Sequence, residues 1–158
     1  MRLYHLNRRR LLTAAPTLAL IGCAQGPKLY RLQVSRDDGC VCCSGWADAM
    51  EKTGRFRVEM FDAGDLPTFK RHAGVPGGFA GCHTALVENY VIEGHVPPAD
   101  VLRLLEEKPA GVLGLVVAGM PRGSPGMEQE NGQKDEFIVY AFKAGEAKYE
   151  FAVYPGSA

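Results

Sequence analysis

The stretch LYRLQVSRDDGCVCCSGW, residues 29–46, decides the fold. Leu29 to Val34 alternates apolar and polar side chains, the pattern of a strand with one buried face. Ser35-Arg36-Asp37-Asp38-Gly39 supplies a turn. Ser44 then opens a helical stretch in which Trp46, Ala49, Met50 and Thr53 fall at i, i+3, i+4 and i+7, and Gly54 stops it. Cys40, Cys42 and Cys43 therefore stand at the beginning of a helix. There, unpaired backbone N–H groups and the positive end of the helix dipole favour a thiolate over a thiol. Trp46 reads as a core residue.

Working outward toward the C-terminus, Phe56 to Phe61 alternates again and Leu66 to His72 forms a short helix ended by Gly74. A Gly/Pro-rich loop, Gly74 to Gly78, leads through Cys82-His83 into strands over Thr84–Val87 and Tyr90–Ile92. Pro97-Pro98 then introduces a helix with Val101, Leu102 and Leu105 on one face and a stop near Pro109. Further strands are expected over Val112–Val117, Phe137–Phe142 and Lys148–Tyr154. The order strand, helix, strand, helix, strand, strand, helix is that of a thioredoxin or glutaredoxin core. The expected class is α/β, a thioredoxin-like fold with additional C-terminal β-strands, occupying residues 29–158. By analogy with that fold, the loop before the third strand packs against the start of the first helix, so Cys82 and His83 should face Cys40, Cys42 and Cys43.

Toward the N-terminus, Arg8, Arg9 and Arg10 precede an apolar run from Leu11 to Gly22 that stops at Cys23. The run is shorter than the roughly 20 apolar residues a membrane span needs, and its basic flank suits an export signal over residues 1–22. Leu20-Ile21-Gly22-Cys23 resembles a bacterial lipobox with Cys23 as lipid acceptor, while Gly22-Cys23-Ala24 also fits ordinary cleavage after Ala24. Residues 23–28 read as a short linker. Asn7 to Leu12 resembles a twin-arginine signal, so export to the periplasm by the Sec or the twin-arginine route is expected, with membrane attachment only through a lipid on Cys23. Removing the signal takes four arginines from the 18 basic residues, leaving 14 against 18 acidic ones. A mildly acidic domain lacks the basic footprint of nucleic-acid binding.

Beyond Cys23, three of the remaining four cysteines fall within four residues as Cys40-Val41-Cys42-Cys43. In an oxidising compartment the default for an even cysteine number is a structural disulfide framework. Three thiols crowded into one turn staple distant segments poorly, since a disulfide stabilises most when it closes a long loop. A thiophilic metal or redox chemistry explains the cluster better. Four thiolates and one imidazole can hold zinc, but structural zinc sites use paired Cys-x-x-Cys spacing, which is absent. Soft sulfur selects Cu(I), and neighbouring thiolates that share ions suit a cluster of more than one copper. Oxidation to a disulfide removes those ligands and so couples thiol redox state to metal release.

Four segments in order carry a resemblance: Cys40 to Trp46, Gly81 to Thr84, Glu93 to Pro97, and Met120 to Glu128. Together they resemble the CopG-type family of periplasmic proteins found with copper-resistance genes, from about Leu29 onward. The resemblance implies a thioredoxin-like fold, a cysteine-rich copper site and a role in copper homeostasis alongside other periplasmic copper-resistance proteins. It implies no settled enzyme activity, and no catalytic residue is assigned. The metal-site residues expected are Cys40, Cys42, Cys43, Cys82 and His83.

Other sulfur and imidazole groups carry less weight. His95 follows a hairpin, where a histidine is more often structural than a ligand. His72 at a helix end with Lys70 and Arg71 reads as solvated. Met120 and Met127 bracket a Pro/Gly loop, where thioethers are secondary Cu(I) contacts or gap-fillers in a core. Met60 belongs to a buried strand. Two further functions stay open: a thiol–disulfide oxidoreductase using Cys40 and Cys43 as its Cys-x-x-Cys pair, and a metallochaperone that passes Cu(I) to a periplasmic partner.

Overall fold

The structure, a computed structural model, describes residues 26–79, 81–144 and 148–157. The expected export signal and its acceptor Cys23 lie outside the described residues. Among the described residues, no helix is long and apolar enough to cross a membrane.

Alternation of apolar and polar residues produces β1 (Tyr30–Arg36) and β2 (Phe56–Asp62), which pair in parallel across the helix α1 (Val41–Glu51). After α2 (Leu66–His72), β3 (His83–Val87) returns antiparallel to β1, and β4 (Tyr90–Glu93) forms a hairpin with β3. The helix α3 (Pro98–Glu107) then carries the chain to β5 (Val112–Val117), parallel to β4. Two antiparallel strands, β6 (Phe137–Lys143) and β7 (Lys148–Tyr154), extend the sheet. The strand order is β2-β1-β3-β4-β5-β6-β7 in one open seven-stranded sheet. This is a thioredoxin-like βαβαββ core with extra C-terminal strands.

Period-two alternation divides the sheet into two faces. Leu32, Val34, Ala85, Ile92, Leu115, Val117 and Ala141 pack with Trp46 and Met50 of α1 and with Val101, Leu104 and Leu105 of α3. On the opposite face Val91, Val116 and Phe142 pack with Val75, Phe79 and Tyr140. Trp46 is fully buried and its indole N–H donates to the Val96 carbonyl at 2.8 Å, which ties α1 to the chain just before α3.

Several limits differ from the sequence reading by a residue or more, the largest at β1 and α1, and the buried face of α3 differs too. The strand β1 runs on through Ser35 and Arg36 because both neighbours hold it: Arg36 is registered with Asp62 on one side and His83 on the other. The helix α1 starts at Val41 instead of Ser44, with Cys40 in an extended conformation at its N-cap and no side-chain cap. Cys42 and Cys43 thus occupy the first helical turn. In α3 the buried face is Val101, Leu104 and Leu105, with Leu102 only partly covered.

Candidate metal centre

The pairing of β1 with β3 brings the two cysteine segments together. Asp37, just past the end of β1, donates its backbone N–H to the Cys82 carbonyl at 3.4 Å, so the β1–β3 ladder continues into the loops that bear the thiols. Cys82 then lies against the first turn of α1. Its sulfur is 3.3 Å from that of Cys43 and 3.5 Å from that of Cys42, and Cys42 is 3.4 Å from Cys40. All four sulfurs fall within 4.8 Å of one another. Cys40 and Cys43 form a disulfide, and Cys42 and Cys82 are free and half-buried.

His83 follows Cys82 and turns into the core. It is fully buried, its ring centroid 4.5 Å from that of Trp46. Nδ1 approaches the Cys82 sulfur at 3.5 Å, while Nε2 has no hydrogen-bond partner among the described residues. Burial is the main cause that pushes His83 down to about 3, with the neighbouring His95 and Lys70 charges acting in the same direction. The ring is neutral at physiological pH. His83 therefore meets the sulfur group through Cys82 rather than at its centre.

His95 plays a larger part than the sequence suggested. The register Thr84↔Glu93 places the residues just beyond β4 opposite His83, so both imidazoles emerge at the same end of the hairpin. His95 is fully buried, with Nε2 3.4 Å from the Cys82 sulfur. Its Nδ1 lies 2.8 Å from the carbonyl of Pro125, which can only accept, so Nδ1 carries the proton. The Nε2 lone pair then faces the thiol, and burial keeps the pKa of this ring low. A histidine with one nitrogen fixed on a carbonyl and the other aimed at the site is how metal-ligating imidazoles are held. It is both a structural residue and a third member of a Cys82, His83, His95 group.

Around the sulfurs, charge and backbone are arranged with care for desolvation. Burial pushes the Cys82 thiol up to about 12, with the neighbouring Cys42 adding to the rise. Cys82 is thus a protonated thiol at neutral pH, and a metal that binds there must displace its proton. The Arg36 guanidinium sits at the helix start, donating to the Cys40 carbonyl at 3.3 Å and to the Ser44 hydroxyl at 2.8 Å. Beneath the Cys82 loop, Lys70 and Glu93 form a buried ion pair at 2.5 Å. Lys70 also donates to Thr84 at 2.8 Å, and Glu93 accepts from Thr84 at 2.6 Å and from the Gly81 backbone N–H at 2.5 Å. Every polar group of that network has a partner, as a buried pair requires. It fixes the peptide immediately before Cys82.

The loop over residues 118–128 closes one side of the site. Gly126 adopts φ +83°, and a Cβ there would fall 2.4 Å from the Trp46 backbone nitrogen and 2.7 Å from the Cys42 carbonyl. No side chain fits in that space, so the bare glycine is what lets the loop lie on the first turn of α1. Pro125 reaches His95 from the same loop, and Met120 places its sulfur 4.0 Å from that of Cys42. Met127 contributes its backbone, donating to Ser124 and accepting from Gly123. His72 is exposed at the end of α2, and Met60 packs against the core as a half-buried residue of β2.

Fold and site together define a thioredoxin-like protein with a cluster of thiols and imidazoles at the start of its first helix. Residues 79–127 match the family described as "Protein of unknown function, DUF411". No curated protein matches the chain. Two solved structures do. "Copper resistance protein copG- Form 1" is 35% identical, with a TM-score of 0.74, covering 83% of this chain and 100% of that one. "Copper resistance protein copG- Form 2" is 34% identical, with a TM-score of 0.75, covering 81% of this chain and 100% of that one. The chain belongs to the CopG-type family of copper-resistance proteins.

The buried, neutral His83 makes the metal-free protein with its Cys40–Cys43 disulfide sensitive to acid. Its folded-state value lies below its ordinary 6.5, so between about 6.5 and about 3 the unfolded chain binds the extra proton. Stability from this group is complete above that window and is lost as pH falls through it, by about 1.4 kcal/mol per pH unit. Urea unfolding midpoints measured from pH 7 to pH 4 should fall more steeply for the natural chain than for His83→Gln. Equal slopes would contradict a buried neutral imidazole.

Proposed function

We propose that this protein is a periplasmic copper-binding protein of copper resistance, holding Cu(I) at Cys40, Cys42, Cys43, Cys82 and His83, with more than one ion per chain and with binding coupled to thiol redox state. The observation that carries the reading is the convergence of four sulfurs, from two segments of the chain, within 4.8 Å. The donor set fits the cargo: thiolate sulfur is soft, Cu(I) accepts two or three such ligands, and sulfurs this close can be shared between ions. His95 joins His83 as the imidazole part of the set. Family membership supports copper as the metal, since the two similar structures are named as copper-resistance proteins.

The Cys40–Cys43 disulfide supports the redox coupling. Two electrons and two protons from a dithiol reductant convert it to two thiols, and the site then offers four sulfur ligands instead of two. Loss of the same two electrons to an oxidant closes the disulfide and withdraws two ligands. Copper resistance then follows as capture under reducing conditions and release on oxidation. We further propose that residues 1–22 direct export, that Cys23 is the lipid-acceptor residue, and that residues 29–158 are the copper-binding domain. Other periplasmic copper-resistance proteins would be its partners, receiving or supplying the ion.

A second reading, a thiol–disulfide oxidoreductase, is favoured by the same disulfide, which has Cys-x-x-Cys spacing at a helix start in a thioredoxin-like fold. The two readings separate cleanly. If Cys40 and Cys43 serve plain disulfide exchange, the copper-free protein reduces insulin disulfides, Cys40→Ser abolishes that activity and Cys42→Ser leaves it nearly untouched. Copper binding as the main role predicts weak insulin reduction in every form.

Anaerobic Cu(I) titration of residues 29–158, with metal quantified, tests the proposal directly. The reduced domain should take up more than one copper per chain, the disulfide form fewer, and Cys82→Ser should lose stoichiometry. No tight binding by the reduced form, or an unchanged titration in Cys82→Ser, contradicts the shared site.

A further inference from the structure

The Cys40–Cys43 disulfide has a free thiol against each of its ends. The Cys82 sulfur is 3.3 Å from that of Cys43, and the Cys42 sulfur is 3.4 Å from that of Cys40. Cys43 is fully buried, so a thiol from another molecule does not reach its sulfur, and the free thiol in contact with it is Cys82. The bridge as it stands spans a separation of three residues, which does little to hold the fold together. A bridge from Cys43 to Cys82 would instead join the first turn of α1 to the segment before β3, 39 residues further along the chain.

Thiol–disulfide exchange needs an attacking thiol, a central sulfur and a leaving sulfur. Cys82 and Cys43 supply the first two, and Cys40 suits the third. It holds the N-cap position of α1, where free backbone N–H groups favour a thiolate, and the Arg36 guanidinium donates to its carbonyl at 3.3 Å. A sulfur that carries negative charge easily also leaves easily. The attack itself is slow. Cys82 is a protonated thiol, and the sulfurs of Cys82, Cys43 and Cys40 all lie within 4.8 Å, a bent array that Cys82 must swing into line. Uncatalysed disulfide rearrangements take minutes to hours, long enough for each form to be trapped.

We propose that the disulfide migrates: Cys82 attacks Cys43, and a Cys43–Cys82 bridge replaces the Cys40–Cys43 bridge, freeing Cys40 beside Cys42 to take Cu(I) while the protein stays oxidised. The Cys82–Cys43 bond forms as the Cys43–Cys40 bond breaks. Cys82 gives up its proton and Cys40 takes one up, so no electron and no net proton is gained or lost, and no outside reductant is consumed. Before the exchange the free thiols are Cys42 and Cys82; after it they are Cys40 and Cys42, side by side at the start of α1. Two soft sulfurs meet the coordination that Cu(I) accepts. The ion must displace the thiol protons, and Cys40 at the helix start yields its proton more readily than half-buried Cys82 does. Copper therefore binds the exchanged form better and draws the population toward it. The inference rests on the Cu(I) reading above and adds to it a metal site that oxidation does not remove.

The full chain carrying Cys23→Ser tests this, since every cysteine left then belongs to the site. The oxidised, metal-free chain is incubated anaerobically with or without equimolar Cu(I), supplied as its acetonitrile complex, and its free thiols are trapped with N-ethylmaleimide at acid pH. Trypsin places Cys40, Cys42 and Cys43 in the peptide 37–52 and Cys82 in the peptide 72–103. The resting bridge leaves the two peptides separate, and the exchanged bridge links them. Migration predicts a linked pair from a minority of the metal-free chains and a several-fold rise with Cu(I), the free thiols staying at two per chain. No linked pair in either sample overturns it. Links between isotope-labelled and unlabelled chains, the mark of random scrambling, overturn it as well. If the linked pair forms but Cu(I) does not raise it, a Cu(I) titration of the reduced chain decides. Tight uptake there overturns the copper-driven exchange, and no uptake means that the Cu(I) reading has failed while the exchange stands.

Discussion

The antiparallel ladder between β3 and β1 is the constraint on which the site depends. Cys40 and Cys82 are far apart in sequence, and nothing local draws them together. Because Arg36 is registered with His83 and the ladder runs on to Asp37 and Cys82, the loop before β3 must arrive at the first turn of α1. The parallel pairing of β1 with β2 and the seating of Trp46 beneath Val96 fix where that helix starts. The thiol cluster is thus a consequence of backbone hydrogen bonding in the sheet. Chemistry is placed at the ladder's end, where strand geometry is lost and side chains are free to converge.

Convergence has a cost that the surrounding structure offsets in parts. Two free thiols and a disulfide crowd together beside two imidazoles, and the neutral forms of Cys82, His83 and His95 are the ones that burial favours. The metal-free protein limits charge there by keeping the Cys82 thiol protonated and both rings neutral. A soft cation reverses that balance, since it takes the place of the thiol proton and lets thiolates coexist at short range. The Lys70–Glu93 network does a different task. Fully satisfied and buried, it sets the peptide ahead of Cys82 and adds stiffness where a loop would otherwise drift. Gly126 completes the enclosure, because only a residue without Cβ allows the 118–128 loop so near Cys42.

Much of this was legible in the sequence, and the failures are informative. Alternation and stop signals located α2, β5 and β7 at their observed limits, since those elements are bounded by Gly, Pro or clear changes of period. Ser35 and Arg36 read as a turn in sequence, and it is pairing with β2 on one side and β3 on the other that keeps them in the strand. His95 was read as structural because the hairpin register that turns it toward Cys82 is a tertiary fact, although the Glu93-Gly94-His95 motif was visible. Nothing local in the sequence marks Lys70 as buried, because its partner Glu93 lies 23 residues away. Met120 was legible as a sulfur in a loop, but its exposure and its distance to Cys42 were not.

The central claim is that four cysteine sulfurs act as one soft, multi-ion copper site in the reduced protein. Copper-edge X-ray absorption on the reduced, Cu(I)-loaded domain tests it most directly, because the spectrum reports ligand type and neighbouring metal together. The account predicts a shell dominated by sulfur, with added scattering from a second copper close by. A shell of nitrogen and oxygen, or sulfur ligation with no copper neighbour, would contradict it.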